Sequence, residues 1–192
     1  MRQRIAIIDG IRTPMDKAGG MLKGISADDL AVHVIKEIIL RNNISSYEID
    51  ELILGNVAQP AHAANISRVA SLKAGLSVSV PAYTVHRNCA SGMESITTAS
   101  NKIIAEGAGI IIAGGTESMS NIPLLFSREM TDYFQKGQRA KSALQKLRHL
   151  LKFRLSYLTP DIALVQGLTD PVSGMIMGLT AEVLAKEFHI TR

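Results

Sequence analysis

Cys89 is the one cysteine of the 192 residues, and it stands in Asn88-Cys89-Ala90-Ser91-Gly92, behind a strand-like run and ahead of a helix-like one. A strand that delivers a cysteine to the first turn of a helix surrounds its sulfur with unpaired backbone N–H groups and the positive end of the helix dipole. Both favour thiolate over thiol, and the chemistry they allow is nucleophilic attack. The competing reading of a free cysteine is inert burial as a small hydrophobe. Gly92 lets a ligand or another backbone approach the first helical turn, and Ser91 and Asn88 add polar groups, which weighs toward the nucleophile. A nucleophilic thiol also wants a base. His86, three residues back, reaches the sulfur if the turn is sharp, or else is a hydrogen-bonded core histidine.

Other candidates are fewer. Gly114-Gly115 follows an apolar run, where a backbone lies against a ligand or helix, or where the chain simply turns. His33, His62, His149 and His189 form no pair with each other, with the cysteine or with a carboxylate at ligand spacing, so no metal is expected. The glycines nowhere spell G-x-G-x-x-G or G-x-x-x-x-G-K-[ST], which leaves nucleotide loops unsupported.

The elements that must position Cys89 read as alternating strands and helices over residues 1–120. Arg4–Asp9 is a β-branched strand candidate, and Ser26 caps a helix running to Asn42 with Leu30, Val34 and Ile38 as its apolar face. Strand candidates Glu51–Val57, Ala82–His86 and Gly109–Ala113 alternate with helices Asn65–Ala74 and Ser91–Glu106. The last of these carries Met93, Ile96, Ala99 and Ile103 at helical spacing and ends at Gly107. The pattern βαβαβαβ predicts an α/β fold, a mostly parallel sheet with helices on both faces, and functional groups at the carboxyl ends of the strands.

From 121 to 192 the rhythm changes to an irregular, mainly helical second domain. Leu144, Leu147, Leu151, Leu155 and Leu158 predict one amphipathic helix over 140–158, stopped by Pro160, and a last helix spans Leu179–Phe188. Lys136, Arg139, Lys141, Lys146, Arg148, Lys152 and Arg154 fall between Tyr133 and Pro160 with no acidic residue, while the rest of the chain is net acidic. That face suits an anionic membrane surface, a phosphate-bearing ligand, an acidic protein partner or plain solvent. Tyr133, Phe134, Phe153 and Tyr157 are too few and irregular to stack bases, so nucleic acid is not expected. With 46% hydrophobic residues and a mean hydropathy of +0.16, the chain can bury a substantial core. A single cysteine and the lack of any long apolar run near the start point to a reducing, cytoplasmic location.

Three motifs in order, Asn88-Cys89-Ala90-Ser91-Gly92-Met93, Ala113-Gly114-Gly115-Thr116-Glu117-Ser118-Met119-Ser120 and Met177-Gly178-Leu179-Thr180-Ala181-Glu182, resemble the thiolase family. Asp9-Gly10-Ile11-Arg12-Thr13-Pro14 and Leu54-Gly55-Asn56-Val57 fit it as well. The resemblance implies that Cys89 is acylated by a thioester or β-keto thioester and passes the acyl group on, with coenzyme A as substrate and product and no permanently bound cofactor. It implies that the Cys89 N–H helps hold the oxyanion, that Met177 borders the acyl pocket, and that 121–192 belongs to a loop domain. The basic insert is similar to that of thiolase subunits of fatty-acid β-oxidation complexes, where it would face a membrane or a partner subunit. A β-ketoacyl synthase shares the fold and the cysteine but fits the flanking motifs worse.

The departures carry expectations too. The family's N-E-A-F asparagine, G-H-P histidine and C-x-G cysteine are missing, as are the first half's closing strand and the second half. The chain is therefore expected to be an amino-terminal portion that is inactive alone, and either to homo-oligomerise, to pair with a complementary carboxyl-terminal half, or to bind a partner without catalysis. His86 stands where the family usually has asparagine, and Ile176 where short-chain members have histidine, which leaves acyl length open.

Overall fold

A computed structural model describes residues 4–192, and the chain divides into two compact units, Met1–Asn121 and Ile122–Arg192. In the first, helix α1 (Ala27–Arg41) begins where the Ser26 hydroxyl accepts the Asp29 N–H, with Asp28 and Asp29 facing the positive end of the dipole. Strand β1 (Glu51–Gly55) follows and is buried throughout, as suits a central strand. Helix α2 (Ile66–Ala74) is capped by Asn65 and leads to β2 (Ala82–Val85); helix α3 (Ser91–Glu106) leads to β3 (Ile111–Gly115). The sheet has the order β2-β1-β3, all parallel, with Leu54 opposite Thr84 on one side and Gly114 on the other.

Alternation along β1 divides the helices between two faces. Leu52 and Leu54 join Ala31, Val32 and Ile35 of α1, Ala70 of α2, Leu76 and Val80 in the main apolar cluster. The other face meets α3: Glu51 pairs with Lys102 at 2.9 Å, and Gly55 lies against the Ser91–Gly92 backbone.

Three expectations are corrected here. Arg4–Asp9 forms no strand, so the described residues read αβαβαβ rather than βαβαβαβ. Ile7 and Ile8 are exposed, having no apolar surface to cover them, and the segment is fixed at its end, where Asp9 accepts from the Arg41 guanidinium and the Asn42 amide. Those bonds, with the Gly10 N–H, hold the Asp9 carboxyl at about 2. The apolar faces of two helices are also rotated. In α1 the buried residues are Ala27, Asp28, Ala31, Val32 and Ile35, while Leu30, Val34 and Ile38 are half-buried. In α3 they are Ser91, Ser95 and Ala99, while Met93 and Ile96 stay exposed.

Asp28 is fully buried and joins α1 to α2 through Lys73 Nζ at 2.6 Å and to the intervening loop through His62 Nε2 at 3.1 Å. Burial pushes its carboxyl up, but hydrogen bonds from Lys73, Ser26 and His62 outweigh this and leave it well below the usual carboxylate range. Lys73→Met strands that carboxylate, and with half of Lys73 already in solvent the expected loss is about 2 kcal/mol at neutral pH. A depressed folded-state pKa gives stability that is complete above the unfolded value near about 4 and fades as the pH falls toward the folded one. Urea midpoints of the two proteins should therefore differ at neutral pH and converge in acid; a gap independent of pH would contradict the assignment.

In the second unit, β4 (Leu124–Leu125) pairs antiparallel with β5 (Asp161–Ile162), and the helices are α4 (Arg128–Arg139), α5 (Ala143–Leu150), α6 (Ala163–Leu168) and α7 (Met177–Glu187). The single helix expected over 140–158 is broken. After α5 the chain turns through bonds from Lys152 N to His149 O and from Phe153 N to Leu150 O, then makes a short 3-10 turn at Leu155–Leu158. Aromatic packing explains the break. His149, Phe153 and Tyr157 lie 4.1, 5.6 and 5.5 Å from the one ring of Tyr133 on α4. On an unbroken helix residues 149 and 157 would be about 12 Å apart along the axis, too far for both to meet one ring. Leu144, Leu147, Leu151, Leu155 and Leu158 remain exposed. No helix of the described residues is long and apolar enough to cross a membrane.

Apolar groups thus stay uncovered in both units, Met93 and Ile96 on α3 and the leucines after residue 143. Self-association of the isolated chain is expected, read as a concentration-dependent mass in size-exclusion chromatography with light scattering. A monodisperse monomer would contradict it.

Candidate active site

The turn from β2 to α3 is built by its own backbone. Asn88 adopts a left-handed conformation with φ 45°, which asparagine tolerates better than most residues. Ala90 N donates to Arg87 O at 3.0 Å and Ser91 N to Asn88 O at 3.0 Å. The Ser91 hydroxyl closes the loop, donating to Asn88 O at 2.6 Å and accepting the Arg87 N–H at 2.8 Å. Cys89 sits at the crest of this turn, exposed and unbridged, immediately before the helix N-cap Ala90.

Alanine has no side-chain acceptor, and α3 accordingly begins without a side-chain cap. Of the N–H groups of its first turn, Ser91 N bonds to Asn88 O and none is met by a side-chain cap. Nothing lies within 4 Å of where a Gly92 Cβ would point, so that side of the turn is open.

The turn rests on glycine. A Cβ on Gly55 would run into the Ser91 carbonyl and come within 2.6 Å of Gly92 N, and one on Gly115 would come within 3.1 Å of the Gly92 Cα. Ser95 completes the seat, its hydroxyl lying 2.7 Å from Gly92 O and 2.6 Å from Gly114 O. Of the sequence-predicted residues, Asn88, Cys89, Ser91, Gly92 and Gly115 are thus brought together. Gly114 contributes its carbonyl but makes no close backbone approach, its nearest neighbour being Leu54 Cδ2 at 3.8 Å from a Cβ position.

His86 is neither of the alternatives read from the sequence. It is exposed rather than in the core, and no hydrogen bond among the described residues joins it to the sulfur. Its neighbour Arg87 pairs instead with Glu94 of α3 at 2.8 Å. Met177 opens α7 in the second unit, exposed, with Ile176 as the N-cap before it. Among the described residues no group of three or more His, Cys, Asp or Glu could hold a metal ion.

Two residues named only within motifs stand beside the turn. Asn56, buried at the carboxyl end of β1, donates through Nδ2 to Thr116 O at 2.8 Å and to Glu117 Oε1 at 3.1 Å. Glu117 Oε2 accepts the Val57 N–H at 2.8 Å and the Ala58 N–H at 3.3 Å. The signal that would have found them is a lone amide directly after β1 and a lone carboxylate two residues after β3, both at carboxyl ends of the parallel sheet.

The chain as a whole has counterparts among known proteins. The family profile described as "Thiolase, N-terminal domain" matches residues 5–192. Proteins named 3-ketoacyl-CoA thiolase from Yersinia pestis and Yersinia pseudotuberculosis are 36% identical over 189 residues, which is 98% of this chain and 43% of each relative. The crystal structure of the Bacillus anthracis acetyl-CoA acetyltransferase superposes with a TM-score of 0.76 at 32% identity, covering 94% of this chain and 41% of that one. The chain thus spans less than half the length of these relatives.

Proposed function

This chain belongs to the thiolase family, and from that premise we propose that Cys89 is the nucleophile of ping-pong acyl transfer between a (3-keto)acyl-CoA and coenzyme A. The observation that carries the reading is an exposed thiol at the uncapped start of α3, on a turn seated against the carboxyl ends of β1 and β3. In the first half-reaction sulfur bonds to the C3 carbonyl carbon of a 3-ketoacyl-CoA, the C2–C3 bond breaks, and C2 of the departing acetyl-CoA takes up the thiol proton. With acetyl-CoA itself as donor the bond that breaks is the one to the coenzyme A sulfur, which takes the proton. In the second, another coenzyme A thiol takes the acyl group and returns a proton to Cys89. In this reading the Cys89 backbone N–H helps hold the oxygen that gathers charge in each.

Cys89 is the chain's one cysteine, so a second cysteine for acid/base work comes from elsewhere. Residues 1–192 take up the acyl group, and turnover uses further acid/base groups that lie outside them. Coenzyme A is then substrate and product rather than a resident cofactor, Met177 borders the acyl chain, and the work is fatty-acid metabolism in the cytoplasm. The test is covalent: intact mass after incubation with acetyl-CoA should show one acyl group on Cys89, and mixing with a complementary carboxyl-terminal half should give steady turnover. Absence of any adduct on the folded chain would refute the nucleophile.

One observation favours a second reading, partner binding without catalysis. The leucines of 144–158 are exposed among Lys146, Arg148, Lys152 and Arg154, a surface matched to a partner subunit with acidic and apolar groups. A chain that binds such a subunit and never acylates would be of this kind.

A further inference from the structure

We propose that Glu117 is a positioning residue for the reaction at Cys89, an inference that rests on the acyl-transfer reading above. The carboxylate accepts from three donors on the far side of the sheet's carboxyl edge: the Asn56 amide at 3.1 Å, the Val57 N–H at 2.8 Å, and the Ala58 N–H, which lies 3.3 Å from each of its oxygens. These donors lie about sixty residues away in sequence, so the bonds fasten the exit of β1 to the exit of β3. Asn56 is almost wholly buried, and its Oδ1 has no partner among the described residues. Its orientation is therefore set at the amide end alone, by Glu117 and by Thr116 O.

What is fastened is the floor beneath the nucleophile. Asn56 N donates to Val85 O at 3.2 Å, at the last residue of β2 before the Cys89 turn, and Thr116 N donates to Gly55 O at 3.0 Å. Gly55 and Gly115 are the two residues against which Ser91 and Gly92 lie without room for a methyl group. A slip between the ends of β1 and β3 therefore shifts the first turn of α3, and with it the turn that carries Cys89. No hydrogen bond among the described residues joins Glu117 to the Cys89 thiol; it acts through Asn56 and the backbone of 57–58.

Glu117→Gln is nearly isosteric but replaces one accepting oxygen with an N–H donor, which must then face either the Asn56 amide or the 57–58 N–H groups. Asn56→Asp sets two carboxylates against each other. The double variant restores a donor–acceptor pair between 56 and 117 with its polarity exchanged, while Asn56→Asp still lacks the donor that Asn56 gave to Thr116 O.

The experiment follows single-turnover acylation of the full chain by acetyl-CoA, with melting midpoints taken alongside. Each single variant should lose on the order of tenfold in the saturating acylation rate, with the half-saturating acetyl-CoA concentration unchanged. The double variant should recover part of the loss. Equal saturating rates in Glu117→Gln and wild type, or losses that merely follow the folded fraction with no recovery in the double variant, would overturn the inference and leave the function standing. A folded wild-type chain that takes up no acyl group overturns the function, and this inference with it.

Discussion

Incubated with acetyl-CoA, the Cys89→Ala chain gains no acyl mass, whereas the wild-type chain gains one hydroxylamine-sensitive group; that is the expected result, and it is all-or-none. The chain holds no other thiol that could take over the reaction. Acyl transfer to a lysine or serine would leave an amide or ester rather than a labile thioester. The side chain is exposed, so its removal should shift stability by no more than about 0.5 kcal/mol, and loss of the adduct cannot be charged to unfolding. An acyl group of equal mass and yield on both proteins would show that the sulfur at the start of α3 is not the acceptor.

The largest structural effect is expected at Gly55. An alanine there points its methyl group into the Ser91 carbonyl and to within 2.6 Å of Gly92 N, and both obstacles are backbone, with no flexible tip to move aside. Either α3 lifts from the sheet or β1 shifts against its neighbours. The expected cost is about 3 kcal/mol, which for a domain of this size lowers the melting midpoint by on the order of 10 °C. Gly114→Ala is the control, since its methyl group meets only Leu54 Cδ2 at 3.8 Å and should melt close to wild type. Gly115→Ala, at 3.1 Å from the Gly92 Cα, falls between them. Indistinguishable midpoints for the Gly55 and Gly114 variants would mean that α3 does not lie as close to the sheet as described.

Those glycines also show where sequence reasoning succeeds and where it stops. Helix α3 was legible to the residue at both ends, Ser91 and Glu106, because Gly107 supplies the left-handed residue that ends it. The inward face was not legible from apolarity. Ser91, Ser95 and Ala99 turn inward because only small side chains fit over Gly55 and Gly115, and the Ser95 hydroxyl is satisfied by Gly92 O and Gly114 O. The spacing of small residues at 91, 95 and 99 was the signal, and counting hydrophobic positions passes over it. Arg4–Asp9 misled for a different reason. Its β-branched residues state a preference, but a strand exists only where an edge accepts it, and the partner is not encoded locally.

In 140–158 the leucine period was real, yet α5 ends at Leu150 because Tyr133, outside that window, gathers three rings from both sides of the turn. Helix α4 itself went unread, although Ser127 caps it and Lys136 and Arg139 close it. At the site, Cys89 and its neighbours were found from residue type and position. Glu117 and Asn56 were seen only as letters in motifs, since what they do depends on two strand exits meeting in space.

The Tyr133 cluster gives this molecule an optical label of its own. There is no tryptophan, and of the four tyrosines Tyr47 stands in solvent and Tyr83 is half-buried in β2, while Tyr133 and Tyr157 lie 5.5 Å apart in the second unit. Near-ultraviolet circular dichroism should therefore be dominated by the packed rings of residues 133–157, and far-ultraviolet ellipticity by the helices and sheet of the whole chain. Two spectra from one cuvette can then tell the melting of one unit from that of the other, without a fluorophore being introduced.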